Sequence, residues 1–316
     1  MNPNFKFEVA RRIQLKASIM IEGLTGTGKT GLALLIAKYL AGDWDSVYHI
    51  DTENKSANLY ASLPFSDNST VGDFRVLQLT EEIGYAPSNY LVARRAAIEA
   101  GAKVVIEDSI SHAWQYKGGV LDKVNEAASR SSKNDKYAAW RDTEVADEKY
   151  KLLELIRSPA VHVITTVRVK EKFDYGEDEQ GKKKLMSLGE QQIQQADLKY
   201  EPDLVLHMVS PGEPGVAPVA EVIKSRYAIL KKGETYKFTP ELCLQLKAYV
   251  EDGADPQELL EAQRQEYAAA VTEFLDANAS ARSIWSILKS DAGFKDTKLN
   301  DIPLDSLKKL YTNMTT

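Results

Sequence analysis

The chain has 316 residues, 43% hydrophobic and 27% charged, near the averages of globular proteins, so fibrous and disordered classes are excluded and the length suits one full-size domain with a smaller appendage. A formal net charge of -6 excludes a general electrostatic pull on nucleic acid and leaves only local basic patches for such a contact. The single cysteine, Cys243, permits no internal disulfide, and the four histidines are scattered singly, so a reducing, cytoplasmic setting without an imidazole-held metal is expected. No apolar run approaches ~18 residues and MNPNFKFEVARRIQ lacks the apolar centre of a signal peptide, so no membrane partner is expected.

From about residue 17 to 230, short β-branched runs alternate with helical patterns. This predicts an α/β core, a mostly parallel sheet flanked by helices. The first strand, ASIMIEG, runs into GLTGTGKT, Gly23 to Thr30, which fits G-x-x-x-x-G-K-[ST] at every fixed position between a strand and a helix. Glycines let backbone N–H groups approach phosphates closely at a helix N-terminus, where the dipole favours anions. Gly23, Leu24, Thr25, Gly26, Thr27, Gly28, Lys29, Thr30 and Gly31 are therefore the candidate nucleotide-binding residues. Lys29 would reach the β- and γ-phosphates of ATP and the Thr30 hydroxyl would ligate Mg²⁺. The following helix carries Leu32, Leu35, Ile36, Tyr39 and Leu40 at i, i+3, i+4, i+7 and i+8, a single buried stripe.

The strand SVYHID is followed by Glu53, placed where open α/β sheets build their sites. That carboxylate suits the orientation or deprotonation of an attacking water, or else a helix cap or a solvated surface. FRVLQL is the next strand, and a helix is expected from Ser88 as N-cap to Gly101 as the residue past its end. KVVIED ends in Asp108, the candidate metal partner, while the period-2 rule turns Glu107 to the other face as a structural carboxylate. Trp140 falls in KYAAWRDTEVADEKYKLLELI, expected to be helical.

VHVITTV carries Thr165, Thr166 and then Arg168 at its C-terminal end, and KEKFDYGEDEQGKKKLMS reads as a projecting hairpin with Lys182, Lys183 and Lys184 near its tip. DLVLHMV and APVAEVIKS complete the strands, the last bearing Lys224 and Arg226 on one face. A Lys-x-Arg pair arises about once per chain at average usage, so its place in the fold has to carry any argument. After Gly253 the pattern is helical, opening on the cap Asp255-Pro256-Gln257-Glu258. The expected division is 1–250 and 251–316, with Ile284, Ile287, Leu288, Leu304, Leu307, Leu310 and Tyr311 forming a small second core.

The order of these parts, with YHIDTE, VVIEDSISHAW, HVITTVRVK, KYEPDLVLHM and VIKSRY covering roughly residues 17 to 240, resembles RecA-type ATPases. Within that family it is similar to phage-encoded RecA-like ATPases linked to recombination and single-strand annealing. The resemblance implies that Glu53 is the catalytic base and that Thr166, with Arg168 second, meets the γ-phosphate. As in RecA-like recombinases and DnaB-type ring helicases, it implies that Lys224 and Arg226 reach the ATP of a neighbouring subunit. A homo-oligomer, ring or filament, in a host cytoplasm follows. It also implies single-stranded DNA contacts by the segments after Asp108 and Arg168, where Lys182, Lys183 and Lys184 would neutralise phosphates. Trp140 and Tyr116 are possible stacking residues. The C-terminal helices lie beyond the resemblance and are candidates for recruiting DNA, a single-strand-binding protein or a replication protein. The other reading is an ATP-dependent assembly or helicase-loading factor whose partner is protein.

Overall fold

In the computed structural model, which describes residues 10, 12–130, 135–177, 183–278 and 280–315, the β-branched runs pair into one sheet of nine strands. These are β1 (Ser18–Gly23), β2 (Val47–Asp51), β3 (Arg75–Gln78), β4 (Val104–Asp108), β5 (His162–Glu177), β6 (Lys183–Gln192), β7 (Leu204–Ser210), β8 (Val219–Ser225) and β9 (Thr235–Lys237). Their order is β3-β2-β4-β5-β1-β7-β8-β9, with β6 hairpinned onto β5. Neighbours from β3 to β7 are parallel, and β8 and β9 are antiparallel. The helices are α1 (Lys29–Ala41), α2 (Pro87–Glu99), α3 (Ser111–Gln115), α4 (Val120–Ser129), α5 (Lys136–Ala139), α6 (Thr143–Glu154), α7 (Pro240–Glu251), α8 (Pro256–Ala277), α9 (Ala281–Asp291) and α10 (Leu304–Thr315). The architecture is the α/β class of a P-loop nucleotide-binding core with C-terminal helices, as the alternation of runs predicts.

Strand periodicity divides the core in two. Ile19, Ile21, Ile106 and Leu206 face α1 and α7, whereas Met20, Val105, Val163 and Val205 face α2 and α6. Within α1 the expected single stripe is corrected: Leu32, Ala33, Leu34, Leu35, Ile36, Ala37, Leu40 and Ala41 are all buried and Tyr39 only partly so. The sheet covers one side, and α7, supplying Cys243, Leu246 and Val250 to the same core, adds cover from elsewhere in the chain. The start of α2 also differs from expectation. Ala86 is its N-cap and Pro87 its first residue, while the Ser88 N–H donates to Glu148 Oε2 at 2.9 Å rather than Ser88 capping the helix. The expected helix around Trp140 breaks because Asp142 accepts from the Glu144 N–H and starts α6 afresh. Trp140 stacks on Trp114 with ring centroids 6.1 Å apart.

Contacts divide the chain into Leu15–Val250 and a second unit made of the described residues of Met1–Gln14 and Glu251–Thr316. In the second unit Ile13 bridges Ala254, and α8 and α10 bury Ala268, Val271, Leu307, Leu310 and Met314 with Ile302. Asp255 caps α8 by accepting from the Gln257 N–H at 2.8 Å. Ile284 and Ile287 are corrected: they are 49% and 60% exposed, because α9 turns Ala281, Trp285 and Leu288 inward instead. Among the described residues no helix is long and apolar enough to cross a membrane.

Candidate active site

β1 delivers the chain to Gly23 at the C-terminal edge of the sheet, and α1 starts at Lys29. The turn between them needs glycine at Gly28, where φ is +86° and a Cβ would stand 2.8 Å from Cβ of Pro211. The first N–H groups of a helix lack intrahelical acceptors, and here Gly28, Lys29, Thr30 and Gly31 line a cleft of about 410 Å³ together with Thr25 and Gly26. Lys29 folds over the loop, its Nζ donating to the carbonyls of Gly23 at 2.9 Å and Leu24 at 2.8 Å. Burial lowers its pKa, against the opposing pull of Asp108 and Glu53.

The sheet order places β5 between β1 and β4, so Thr166, in register with Ile21, lies beside Asp108. The Thr166 hydroxyl donates to Asp108 Oδ1, and the Thr30 hydroxyl donates to Oδ2 at 2.5 Å. On β2, His49 is buried, and among the described residues neither ring nitrogen has a partner at hydrogen-bond distance, its Nε2 lying 3.6 Å from Asp108 Oδ2. Burial opposes ionisation of Asp108, yet the nearby imidazole and the two hydroxyls outweigh it and hold its pKa down to about 2. An ionised carboxylate beside a hydroxyl is a hard oxygen donor set that fits Mg²⁺, which keeps most of its other positions for water and phosphate. Thr165 points away, its hydroxyl reaching the Ile19 carbonyl at 3.4 Å. Glu107 lies on the opposite face from Asp108, and its Oε1 accepts two hydrogen bonds from the buried Arg94, from Nε at 2.9 Å and Nη2 at 2.5 Å.

Glu53 is held by the turn that follows β2. Asp51 accepts from the Glu53 N–H at 2.6 Å, the Ala57 N–H at 3.1 Å and Gln78 Nε2 at 2.8 Å, which orders that turn. Thr52 ties it to the end of β4, its N–H donating to the Asp108 carbonyl and its hydroxyl accepting from the Ser109 N–H at 2.9 Å. The Glu53 carboxylate lines the cleft with Asp108, and there it meets Arg168. Nε of Arg168 donates to Oε1 at 2.7 Å and Nη2 donates to Oε2, while Nη1 reaches the Tyr116 hydroxyl at 3.3 Å. Tyr60, Leu63, Pro64 and Phe65 form one apolar wall of the cleft, and Pro211, Pro214 and Pro218 another. The Tyr60 ring lies against Gly31, 3.5 Å from where a Cβ would be.

Lys29, Thr30, Glu53, Asp108 and Thr166 are thus gathered at one end of the sheet, whereas Lys224 and Arg226 are not. β8 runs antiparallel to β7, so Lys224 and Ser225 pair with Val205 and Leu204 at the far end of that strand. Lys224 Nζ donates to the carbonyls of Tyr200 at 2.5 Å and Pro202, and Arg226 Nη1 lies 3.0 Å from Asp203 Oδ1. Lys182 lies outside the described residues, and Lys183 and Lys184 pair in backbone register with Glu177 and Gly176 on the hairpin.

Sequence reasoning missed His49, Tyr60 and the partner of Glu53. Strand alternation in VYHID carries His49 to the same face as Asp108, which was a readable signal. The pairing of Glu53 with Arg168 spans 115 residues and has no local signal. A comparison with curated proteins gave no match. A family model described as an AAA domain matches residues 15–237, more than half of the chain and all of the cleft just described, so the chain belongs to this family of P-loop ATPase domains.

Proposed function

We propose that the chain hydrolyses ATP with Mg²⁺ as a homo-oligomer, ring or filament, and acts on single-stranded DNA in phage-type recombination or annealing. The observation that carries the ATPase part is the convergence of Lys29, Thr30, Asp108 and Glu53 on one cleft, with the buried Thr166 hydroxyl holding Asp108 from behind. The loop and Lys29 bind the phosphates, and the walls around Tyr60 and Pro211 receive the base. Thr30 and Asp108 would hold Mg²⁺, which when bound neutralises phosphate charge. Asp108, fixed by two hydroxyls, stays ionised in that role. Glu53 is the general base that takes a proton from the attacking water.

Lys224 and Arg226 sit at the sheet end away from their own phosphate loop, so any action on ATP would be on a neighbour's, as in the proposed oligomer. The DNA part draws on the hairpin of β5 and β6, which continues the strand bearing Thr166 and Arg168 and opens its second strand on Lys183 and Lys184, with Lys182 next to them in the sequence. The C-terminal helices would recruit DNA or a single-strand-binding or replication protein. The net charge of -6 favours the second reading, an ATP-dependent assembly or helicase-loading factor whose partner is protein. A salt titration of single-strand binding, with and without ATP, separates the two. ATP-dependent binding at low salt that is lost in Lys182→Ala/Lys183→Ala/Lys184→Ala supports the DNA reading, and its absence in the unmodified chain removes it.

A further inference from the structure

Glu53 cannot serve as a base in the arrangement seen, since both of its oxygens accept from the Arg168 guanidinium. The pair is largely shielded, with side-chain exposures of 24% and 22%, so it is screened less than a surface ion pair. The backbone of Arg168 is fixed on either side of the residue. Its N–H donates to Ser111 Oγ at 3.0 Å and its carbonyl accepts from the Ile193 N–H at 2.8 Å. Any change of partner must therefore come from rotation of the side chain. Arg168 lines the same cleft as Lys29 and Thr30, so the phosphate end of a nucleotide lies within the volume its side chain borders. Of the two threonines on this part of β5, Thr165 points to the Ile19 carbonyl and Thr166 has committed its one hydroxyl proton to Asp108. Arg168 is left as the donor that β5 can offer a terminal phosphate.

We propose that Arg168 is a two-position specificity residue: it holds Glu53 until the terminal phosphate of a nucleoside triphosphate draws it away, so that the base is released only by a hydrolysable nucleotide. The inference rests on the nucleotide-binding reading above. A terminal phosphate carries more negative charge than a carboxylate and offers several oxygens to a planar guanidinium, whereas a diphosphate ends short of that position. Part of the triphosphate's binding free energy is then used to break the Arg168–Glu53 pair, and its apparent affinity is reduced by the scarcity of the open arrangement.

The test measures dissociation constants of ADP and of the slowly hydrolysed triphosphate ATPγS, with Mg²⁺, by competition against a fluorescent nucleotide on the full chain. Glu53→Gln should tighten ATPγS about tenfold by removing the competing charge and leave ADP unchanged. Arg168→Ala should bring ATPγS down toward ADP and abolish the effect of adding Glu53→Gln, and Arg168→Lys should restore part of the preference. Retained ADP binding shows that each variant is folded, and Glu53→Gln alone carries the test if Arg168→Ala is not. The proposal is overturned if Glu53→Gln shifts both nucleotides equally or neither, or if Arg168→Ala keeps the original ratio. If the unmodified chain binds neither nucleotide, the nucleotide reading itself fails and this inference with it.

Discussion

Replacing Thr166 with Val keeps the size and β-branching that suit β5 and removes only the hydroxyl that Asp108 Oδ1 accepts from. Thr166 is fully buried and Asp108 nearly so, so solvent does not make good the loss. A hydrogen bond to a charged group contributes about 1.5–3 kcal/mol, and its loss here leaves a buried carboxylate oxygen unpartnered. In a domain of this size each kcal/mol shifts Tm by ~2–4 °C, so Thr166→Val should lower Tm by about 3–12 °C near neutral pH. The sign of the pH dependence follows from Asp108. Its folded pKa of about 2 lies below its ordinary 3.8, so its ionisation contributes stability that is present above 3.8 and lost as pH falls through 2. Losing the Thr166 bond raises the folded pKa and shrinks that contribution. The two proteins should therefore converge as the pH is lowered through this window, and Thr166→Ser should behave like the unmodified chain. Melting curves recorded by circular dichroism from neutral pH downward read both effects. A Thr166→Val protein that melts with the unmodified chain at neutral pH, or one whose deficit is the same at every pH, refutes the reasoning.

Glu53→Gln should lower steady-state ATP hydrolysis by about 10²–10⁴ while ADP still binds, as measured by phosphate release and nucleotide competition. Arg94→Met leaves Glu107 buried without its partner and should cost about 3–5 kcal/mol in denaturant unfolding. Arg94→Met/Glu107→Leu should regain part of that loss. His207 lies between Glu22 at 3.2 Å and Glu190 at 3.5 Å; the Glu22 hydrogen bond, opposed by burial, leads the causes that raise its pKa above 6.5, with Glu190 and Glu221 adding to it. Its contribution to stability is thus full below 6.5 and is lost as pH rises through the raised folded value, a decline that His207→Gln should remove from a pH series of urea melts. Arg226→Ala should abolish hydrolysis in the assembled state while nucleotide binding by the isolated chain persists; normal hydrolysis by the assembled variant would assign Arg226 to the strand face and its Asp203 contact.

What was legible in the sequence was contiguous. GLTGTGKT lies within eight residues, between a strand and a helix that each announce themselves by period, so loop, Lys29 and Thr30 can be read together. Asp108 and Glu107 could be assigned to opposite faces because strand alternation is a rule of backbone geometry. What escaped depends on the order of strands. Glu53 follows β2 and Arg168 ends the parallel part of β5; they meet because β4 alone separates those strands, and no local pattern encodes that neighbourhood. The burial of α1 on more than its sheet face depends on α7, about 200 residues later. In α9 the apolar residues admit two helical phases, Ile284 with Ile287 and Leu288 or Ala281 with Trp285 and Leu288, and packing against α8 and α10 selects the second.

Charge in the cleft bears on the proposed assembly. Among the described residues lining it, Lys29 and Arg168 stand against Glu53, Asp108 and Glu213, so the cleft itself carries no surplus positive charge to offer a magnesium triphosphate. If Arg168 moves to the terminal phosphate, Glu53 is freed but the total is unchanged, and a further cation would still stabilise the transition state. The chain cannot bring its own Arg226, whose N–H bonds to the Asp203 carbonyl while Asp203 bonds to Ser18 at the start of β1. Five residue steps of strand lead from Ser18 to Gly23, about 16 Å at the rise of a β-strand. A neighbour's Arg226 would meet the cleft only if one end of its sheet faced the opposite end of the next. Made once by each chain, such a contact is head-to-tail, and repeating it closes a ring or extends a filament; a twofold pair would serve only if its interface spanned both places, with each Arg226 entering the other chain's cleft. An oligomer whose interface leaves every Arg226 away from its neighbour's cleft would therefore argue against Arg226 as the missing cation, independently of any rate measurement.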